Sequence, residues 1–380
     1  MFFLFPYPWG MAKNATTAQP STEQAPSKPA KGRGAQSNAS GRFEAHAREA
    51  FDDGWDRIED EELPPLRTTV MADSSRSIIA RNDSPDIPFD RSINPYRGCE
   101  HGCVYCFARP THTYLGFSAG LDFETKLVAK YRAAELLRKE LAKPSYKPET
   151  LAMGTNTDPY QPVEKKLQIT RQVLEVLSET NHPVTIVTKS NLVLRDIDLL
   201  APLAEKGLVR VCLSVTSLDR KLARTLEPRA PTPAKRLAAI RTLHEAGIPT
   251  GVMTAPLIPA LNDHELEAIL EEAREAGAGT AGYVLLRLPL EIAGLFEEWL
   301  EAHVPDRKER VLKLVRETRG GKDYDSAWGK RMKGEGVYAK MLAERFSAAC
   351  RKYGFNKASW PLDTTAFLKP EAQRDQLSLF

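Results

Sequence analysis

Residues 94–106 read Asn94-Pro95-Tyr96-Arg97-Gly98-Cys99-Glu100-His101-Gly102-Cys103-Val104-Tyr105-Cys106. Three cysteines stand at C-x3-C-x2-C spacing, and Gly98 and Gly102 let the chain bend tightly around them. The chain has five cysteines in 380 residues. A disulfide framework favours an even count spread along the chain. The clustering instead reads as metal binding in a reducing compartment, which points to the cytoplasm. Three thiolates on one loop suit three irons of a cubane cluster, with the fourth iron left open to a small molecule. A zinc site would want paired C-x2-C units or a fourth Cys or His at suitable spacing. His101 lies inside the loop and points poorly for a shared tetrahedron, and Cys212 and Cys350 are far away in sequence.

Downstream of this loop a rhythm begins. Short apolar or β-branched runs occur at 151–154, 184–188, 209–215, 250–255 and 283–288. Between them lie amphipathic stretches near 123–142, 163–180, 195–206, 233–246, 263–276 and 291–303. Leu167, Val173, Leu174 and Leu177, for example, follow helical spacing. Repeated alternation of this kind predicts parallel strands joined by crossover helices. With a strand just before Cys99 the count reaches six units, so the predicted fold is α/β, a partial (β/α)6 TIM-type barrel over 92–305. A closed eight-strand barrel takes about 250 residues, more than this region supplies.

Upstream, Met1–Trp9 is apolar but too short to span a bilayer and is broken by two prolines. It lacks the basic start and small-residue cleavage site of a signal peptide, and no other segment is a membrane span. Met11 opens a polar stretch and is a second candidate start. Residues 1–54, poor in apolar side chains after this leader, are expected to be disordered, and 55–91 form an N-terminal extension. Overall composition excludes little: 42% hydrophobic residues supply a core, and a net charge of +3 implies no partner.

Strand ends carry the chemistry in parallel barrels. The second strand ends in Gly154-Thr155-Asn156-Thr157-Asp158, where Thr155 and Asn156 offer a hydroxyl and an amide. The third ends in Thr188-Lys189-Ser190, where Lys189 is suited to a carboxylate. The fourth carries Ser214. Residues two apart share a strand face, so Cys212 faces the same way as Ser214.

The loop followed by this βα series resembles the radical S-adenosylmethionine superfamily. More narrowly, NPYRGCEHGCVYCFAR and TNTDPYQPVE resemble its spore photoproduct lyase-like branch, also called predicted DNA-repair photolyases. The resemblance covers roughly residues 90–300. It implies a [4Fe–4S] cluster on Cys99, Cys103 and Cys106, with S-adenosylmethionine on the open iron. One electron, from a donor such as flavodoxin or ferredoxin, would cleave the cofactor to methionine and a 5′-deoxyadenosyl radical that abstracts hydrogen. Lys189 and Ser214 match polar strand-end positions that contact the cofactor in that family. Tyr105 and, from its strand face, Cys212 are the candidate catalytic residues, Cys212 being either a hydrogen donor or an ordinary small buried residue, since free Cys is among the most buried types. Two departures stand out. Thr155 occupies the position of a fourth cysteine in true lyases, and a threonine O–H is a far poorer hydrogen-atom donor than a thiol. Phe107 stands where the lyase has tyrosine. Repair by the same relay is therefore not expected, and the substrate differs.

After Pro305 the pattern changes again. Residues 306–357 hold fifteen Lys/Arg against seven Asp/Glu, a local balance of +8. The segment 306–360 reads as a basic helical cap, with Tyr324, Trp328, Tyr338 and Tyr353 available to stack on bases and Arg319–Lys322 as a flexible basic turn. This charge is compatible with nucleic-acid phosphates and equally with a solvated basic surface on a cap that is only a lid; the alternatives are a radical enzyme on a protein or small-molecule substrate, or a non-catalytic iron–sulfur protein. A flexible tail, 361–380, ends in QLSLF. Gln376, Leu377, Leu379 and Phe380 resemble a peptide that binds the bacterial sliding clamp.

Overall fold

Six short runs become six parallel strands. The computed structural model describes residues 32–44, 67–357 and 361–371. Its strands are β1 (Thr69–Ala72), β2 (Ile79–Arg81), β3 (Arg91–Ile93), β4 (Tyr96–Arg97), β5 (Lys126–Ala129), β6 (Leu151–Met153), β7 (Val184–Thr188), β8 (Val209–Ser214), β9 (Thr250–Leu257) and β10 (Thr280–Leu285). The main sheet runs β10-β9-β8-β7-β6-β3-β2. From β3 to β10 every pairing is parallel, and β2 closes the β3 edge antiparallel. This is the six-unit open barrel read from the alternation. Thr188 pairs with Leu213, and Ser214 with Met253, so the C-terminal ends of β7, β8 and β9 lie side by side.

The strands are two-faced. Val209, Val211 and Leu213 of β8 are fully buried, as are Val184 and Ile186 of β7. They share one core with Val173, Leu174 and Leu177 of the helix Ile169–Glu179, and with Ile240 and Leu243 of the helix Pro233–Glu245. Truncating one such residue, as in Leu213→Ala, removes about 2–5 kcal/mol. The alternate residues, Thr185 and Val187 of β7 and Arg210 and Cys212 of β8, are only partly buried. That inner face lines a lumen.

Three expectations are refined. The stretch 123–142 is not one helix: β5 interrupts it and joins β1 and β4 in a small sheet under the cysteine loop. The apolar run 283–288 begins as β10 at Thr280 and leaves the sheet after Leu285. Leu286 and Leu288 instead join a second core with Val104, Phe296, Trp299 and Val311. Within 1–54, residues 32–44 are ordered as a strap: Ala35 is fully buried and Gln36 is 3% exposed. The strap has little apolar surface, but its backbone donors meet a buried carboxylate, as described below. The rest of 1–54, and residues 376–380 of the tail, lie outside the described residues.

The cap comprises helices Lys308–Glu317 and Gly336–Tyr353. The loop between them is pinned from beneath by Arg319, which is 1% exposed. Its guanidinium donates to the carbonyls of Lys330, Arg331, Leu285 and Leu286 at 2.7–3.2 Å. The turn Arg319–Lys322 is therefore no free basic surface at its first residue. Asp86 ties the N-terminal extension to the same loop by pairing with Arg331 at 2.6 Å. Among the described residues no helix is long and apolar enough to cross a membrane.

Candidate active site

The cysteine loop leaves β4 and runs over the C-terminal ends of the barrel strands. Gly98 (φ 77°) and Gly102 (φ 68°) both take the left-handed conformation. A side chain at Gly102 would collide with the Glu124 carboxylate, its Cβ 2.7 Å from Oε2. The loop is held by side chains that the cysteine spacing does not announce. The Arg109 guanidinium, fully buried, donates to the carbonyls of Cys103 at 2.9 Å, Gly102 at 3.2 Å, Ala119 at 3.0 Å and Gly120 at 2.9 Å. It pairs with Glu124 at 2.5 Å. The same carboxylate accepts the backbone N–H groups of Gly34 and Ala35 at 3.1 and 2.9 Å. That contact draws the strap onto the loop. Gly34 lies so close that a Cβ there would sit 1.8 Å from the Gly102 carbonyl oxygen. Gln161 holds the other side, accepting from Glu100 N–H at 2.8 Å and donating to the Gly98 carbonyl at 3.3 Å.

All five cysteines are free thiols. Cys99 and Cys103 are 7% and 8% exposed, and Cys106 is partly buried. Burial first, then the charges of Asp158, Cys103 and Cys106, push the Cys99 thiol well above its ordinary range. Burial, opposed by Lys189, pushes Cys103 up to about 12. Three thiols close enough to oppose one another's ionisation, in a pocket of low dielectric, need a strongly cationic group to become thiolates. This donor set fits an iron–sulfur cluster. Among the described residues no three His, Cys, Asp or Glu are grouped around one point to hold a single metal ion. A cubane distributes its thiolates over separate irons.

The strand ends supply the remaining groups. The Lys189 ammonium lies 5.7 Å from the Tyr105 ring centroid, close enough to Cys103 and Glu227 to lower both their pKa values. Ser214, one register step away on β8, is 4% exposed. Thr155 and Asn156 are gathered by Asn94 at the end of β3. Asn94 Nδ2 donates to Thr155 Oγ1 at 3.1 Å, and its Oδ1 accepts from Asn156 N at 2.9 Å. Asp158 caps the end of β7, accepting from Thr188 Oγ1 at 2.6 Å and Lys189 N at 2.8 Å. His101 Nδ1 stands 3.3 Å from Asp158, so the imidazole faces a carboxylate.

Tyr105 is buried, and its hydroxyl donates to Glu227 and lies 3.3 Å from Thr216 Oγ1. Glu227 also accepts from Thr216 at 2.6 Å and pairs with Arg236. In this arrangement the phenol is engaged below the loop. Cys212 lies on the same strand face as Ser214, two residues before it, with its thiol against Gly251 and hydrogen-bonded to Thr280.

The anchors not anticipated are Asn94, Arg109, Gln161, Glu124, Glu227 and Arg236. Asn94, Arg109 and Gln161 lie inside the two quoted motifs, so the signal was present there. Nothing local marks Glu124, Glu227 or Arg236.

These buried groups predict an acid response. Burial lowers His112 and His182 to about 4 from 6.5. Between those values the unfolded chain takes up protons that the folded chain refuses, so stability falls with pH through that window. Burial alone would raise Asp158 and Glu227. The ion pair with His101 holds Asp158 down at about 2, and Arg236, then Lys189, hold Glu227 at about 2. Their stabilisation is complete above their ordinary 3.8 and 4.5 and is lost as pH drops towards about 2. Thermal midpoints followed by circular dichroism should therefore decline in two stages, one on each side of about pH 4. A flat midpoint down to the carboxylate range would show that the imidazoles titrate normally.

Comparison with known proteins places this geometry. Residues 93–273 match the Radical SAM superfamily. An uncharacterized protein of Mycobacterium tuberculosis (strain ATCC 25618 / H37Rv) is 38% identical over 289 residues, 75% of this chain and 81% of that protein. An uncharacterized protein of Methanocaldococcus jannaschii is 30% identical over 219 residues, 58% of this chain and 78% of that one. The structure of spore photoproduct lyase complexed with dinucleoside spore photoproduct aligns with a TM-score of 0.54 at 16% identity, over 75% of this chain and 78% of that chain. At that identity the likeness concerns the fold.

Proposed function

The chain belongs to the radical S-adenosylmethionine superfamily, and from that premise we propose that Cys99, Cys103 and Cys106 hold a [4Fe–4S] cluster in an enzyme acting on nucleic acid. When bound, the cluster and S-adenosylmethionine supply reductive C–S cleavage and a radical able to abstract hydrogen. The chain's own residues position and protect that chemistry. Lys189 would pair with the methionyl carboxylate, and Ser214 would offer its hydroxyl to the same cofactor. Thr155 and Asn156, fixed by Asn94, would offer it a hydroxyl and an amide. Arg109, Gln161 and the strap close the loop against water. Tyr105 anchors the loop through Glu227, and hydrogen return to a substrate radical falls to the Cys212 thiol.

The observation that carries this reading is the set of three free thiols close enough to act on one another's ionisation, two of them buried and Cys106 partly so, with the Lys189 ammonium beside Cys103. The basic cap supports nucleic acid as substrate. So does the bound dinucleoside of spore photoproduct lyase, although Thr155 argues for a different reaction on it. Such a cluster belongs in a reducing cytoplasm, supplied by a low-potential one-electron donor such as flavodoxin or ferredoxin.

The test is anaerobic reconstitution with iron and sulfide, then dithionite and S-adenosylmethionine. 5′-Deoxyadenosine is the expected product, dependent on the reductant. Its absence from protein with a full complement of iron would overturn the proposal.

A further inference from the structure

Beside Cys106, at the rim of the lumen, three guanidinium groups converge. Arg287 follows β10 by two residues, close enough to Cys106 and Tyr324 to be influenced by both, and to Arg319 and Arg331 as well. Two of the three are accounted for. Arg319 is spent on four backbone carbonyls, and Arg331 is neutralised by Asp86. Arg287 makes no ion pair or hydrogen bond of its own among the described residues; the carboxylate nearest in effect, Asp86, feels its charge but is engaged by Arg331 and the Gly329 N–H. Its guanidinium carbon lies 4.2 Å from the centroid of the Phe107 ring, and Phe107 is itself 41% exposed. Burial, reinforced by the like charges of Arg331 and Arg319, lowers Arg287 to about 10.

A guanidinium in this position is costly unless an anion completes it. The Phe107 face offsets part of that cost and fixes the plane of the fork. A planar fork held flat against a ring matches a phosphate or carboxylate through two parallel hydrogen bonds. The surroundings favour phosphate. The pinned loop 318–335 presents Trp328, 54% exposed, together with exposed Lys322 and Lys333, on the same cap. Aromatic faces interleaved with cations are the usual surface for a single strand.

We propose that Arg287, stacked on Phe107, grips one phosphodiester of a single-stranded nucleic acid and sets the neighbouring nucleotide at the rim beside Cys106. This rests on the nucleic-acid reading above and deepens it, because it names the group recognised and the residue that recognises it.

The test uses the full chain, anaerobically reconstituted, with fluorescein-labelled ten-nucleotide DNA and RNA strands followed by anisotropy over a range of salt. Polyglutamate serves as a competing carboxylate. Arg287→Gln is expected to weaken binding by about tenfold or more and to reduce the slope of log affinity against log salt by about 0.7, one phosphate on a single strand. Arg287→Lys, which keeps charge but loses the fork, should fall between the two. Replacing the central linkages by neutral methylphosphonates should cost the native protein as much, and cost Arg287→Gln little more. Native affinity and slope in Arg287→Gln, with iron content and thermal midpoint matching the native protein, would overturn the inference alone. A native protein that makes 5′-deoxyadenosine but binds neither strand overturns the nucleic-acid reading with it. Polyglutamate binding that needs Arg287, in place of strand binding, would assign the site to an acidic protein.

Discussion

Protein carrying Cys103→Ala should leave anaerobic reconstitution without the visible absorbance of a [4Fe–4S] cluster, and its 5′-deoxyadenosine output should fall to that of an enzyme-free control. The effect is all-or-none because a cubane left with two protein thiolates finds no third thiol nearby, Cys212 and Cys350 lying on β8 and in the cap helix. Cys99→Ala and Cys106→Ala should behave alike. Lys189→Met provides the contrast. It removes one charge-assisted contact, about 1.5–3 kcal/mol, and so should weaken S-adenosylmethionine binding by about 10–150-fold while leaving the cluster absorbance intact. Cys212→Ala and Cys350→Ala, on β8 and in the cap helix Gly336–Tyr353, should retain the cluster fully. Cluster absorbance that survives Cys103→Ala would remove this cysteine from the ligand set.

The second large effect concerns Arg109 and Glu124. Arg109→Met leaves the Glu124 carboxylate, fully buried, without its ion-pair partner, at a cost of about 3–5 kcal/mol. It also strips donors from the carbonyls of Gly102, Cys103, Ala119 and Gly120. A fall in thermal midpoint on the order of 10 °C is expected, with loss of iron on gel filtration. Because that variant perturbs the fold broadly, Gly34→Val separates the strap from the rest. Its Cβ would meet the Gly102 carbonyl oxygen at 1.8 Å, so the strap must lift while Arg109 and Glu124 remain. The expected result is a near-native melting profile with faster bleaching of the cluster in air. Equal bleaching rates would show that the strap shields nothing.

The barrel was legible because each strand is an apolar or β-branched run whose outer face packs on helices of ordinary 3.6-residue period. Helices near 233–246 and 291–303 accordingly fall within a residue or two of where the spacing put them, whereas the stretch 163–180 is divided at Gln168 (φ 54°) into Glu164–Leu167 and Ile169–Glu179, which leaves Leu167 on a different helix from Val173, Leu174 and Leu177. Lys126–Ala129 was not legible: four residues, three of them apolar, fit a helix or a strand equally well, and pairing with β1 and β4 decides it. The cysteines, Lys189 and the 155–156 turn could be read because motif and strand end lie close in sequence. Glu124, Glu227 and Arg236 could not, since their partners are brought in by the fold. Charge counting likewise failed for Arg319, where four carbonyls rather than solvent receive the guanidinium. The strap failed for a related reason. A composition measure tallies apolar surface, whereas this segment is fastened by two backbone N–H groups some ninety residues away from the carboxylate that accepts them.

That fastening carries a kinetic consequence. With Gly34 lying directly on Gly102, the strap and the cysteine loop share one surface, and the strap backs the segment between Cys99 and Cys103. The residence time of whatever the three thiols hold would then be governed by how often the Gly34 and Ala35 hydrogen bonds to Glu124 open together, and not by the strength of the sulfur ligands alone. Loading and loss become gated events with a common step. Solution conditions that loosen the Arg109–Glu124 pair should speed both in equal proportion and leave the occupancy at equilibrium unchanged.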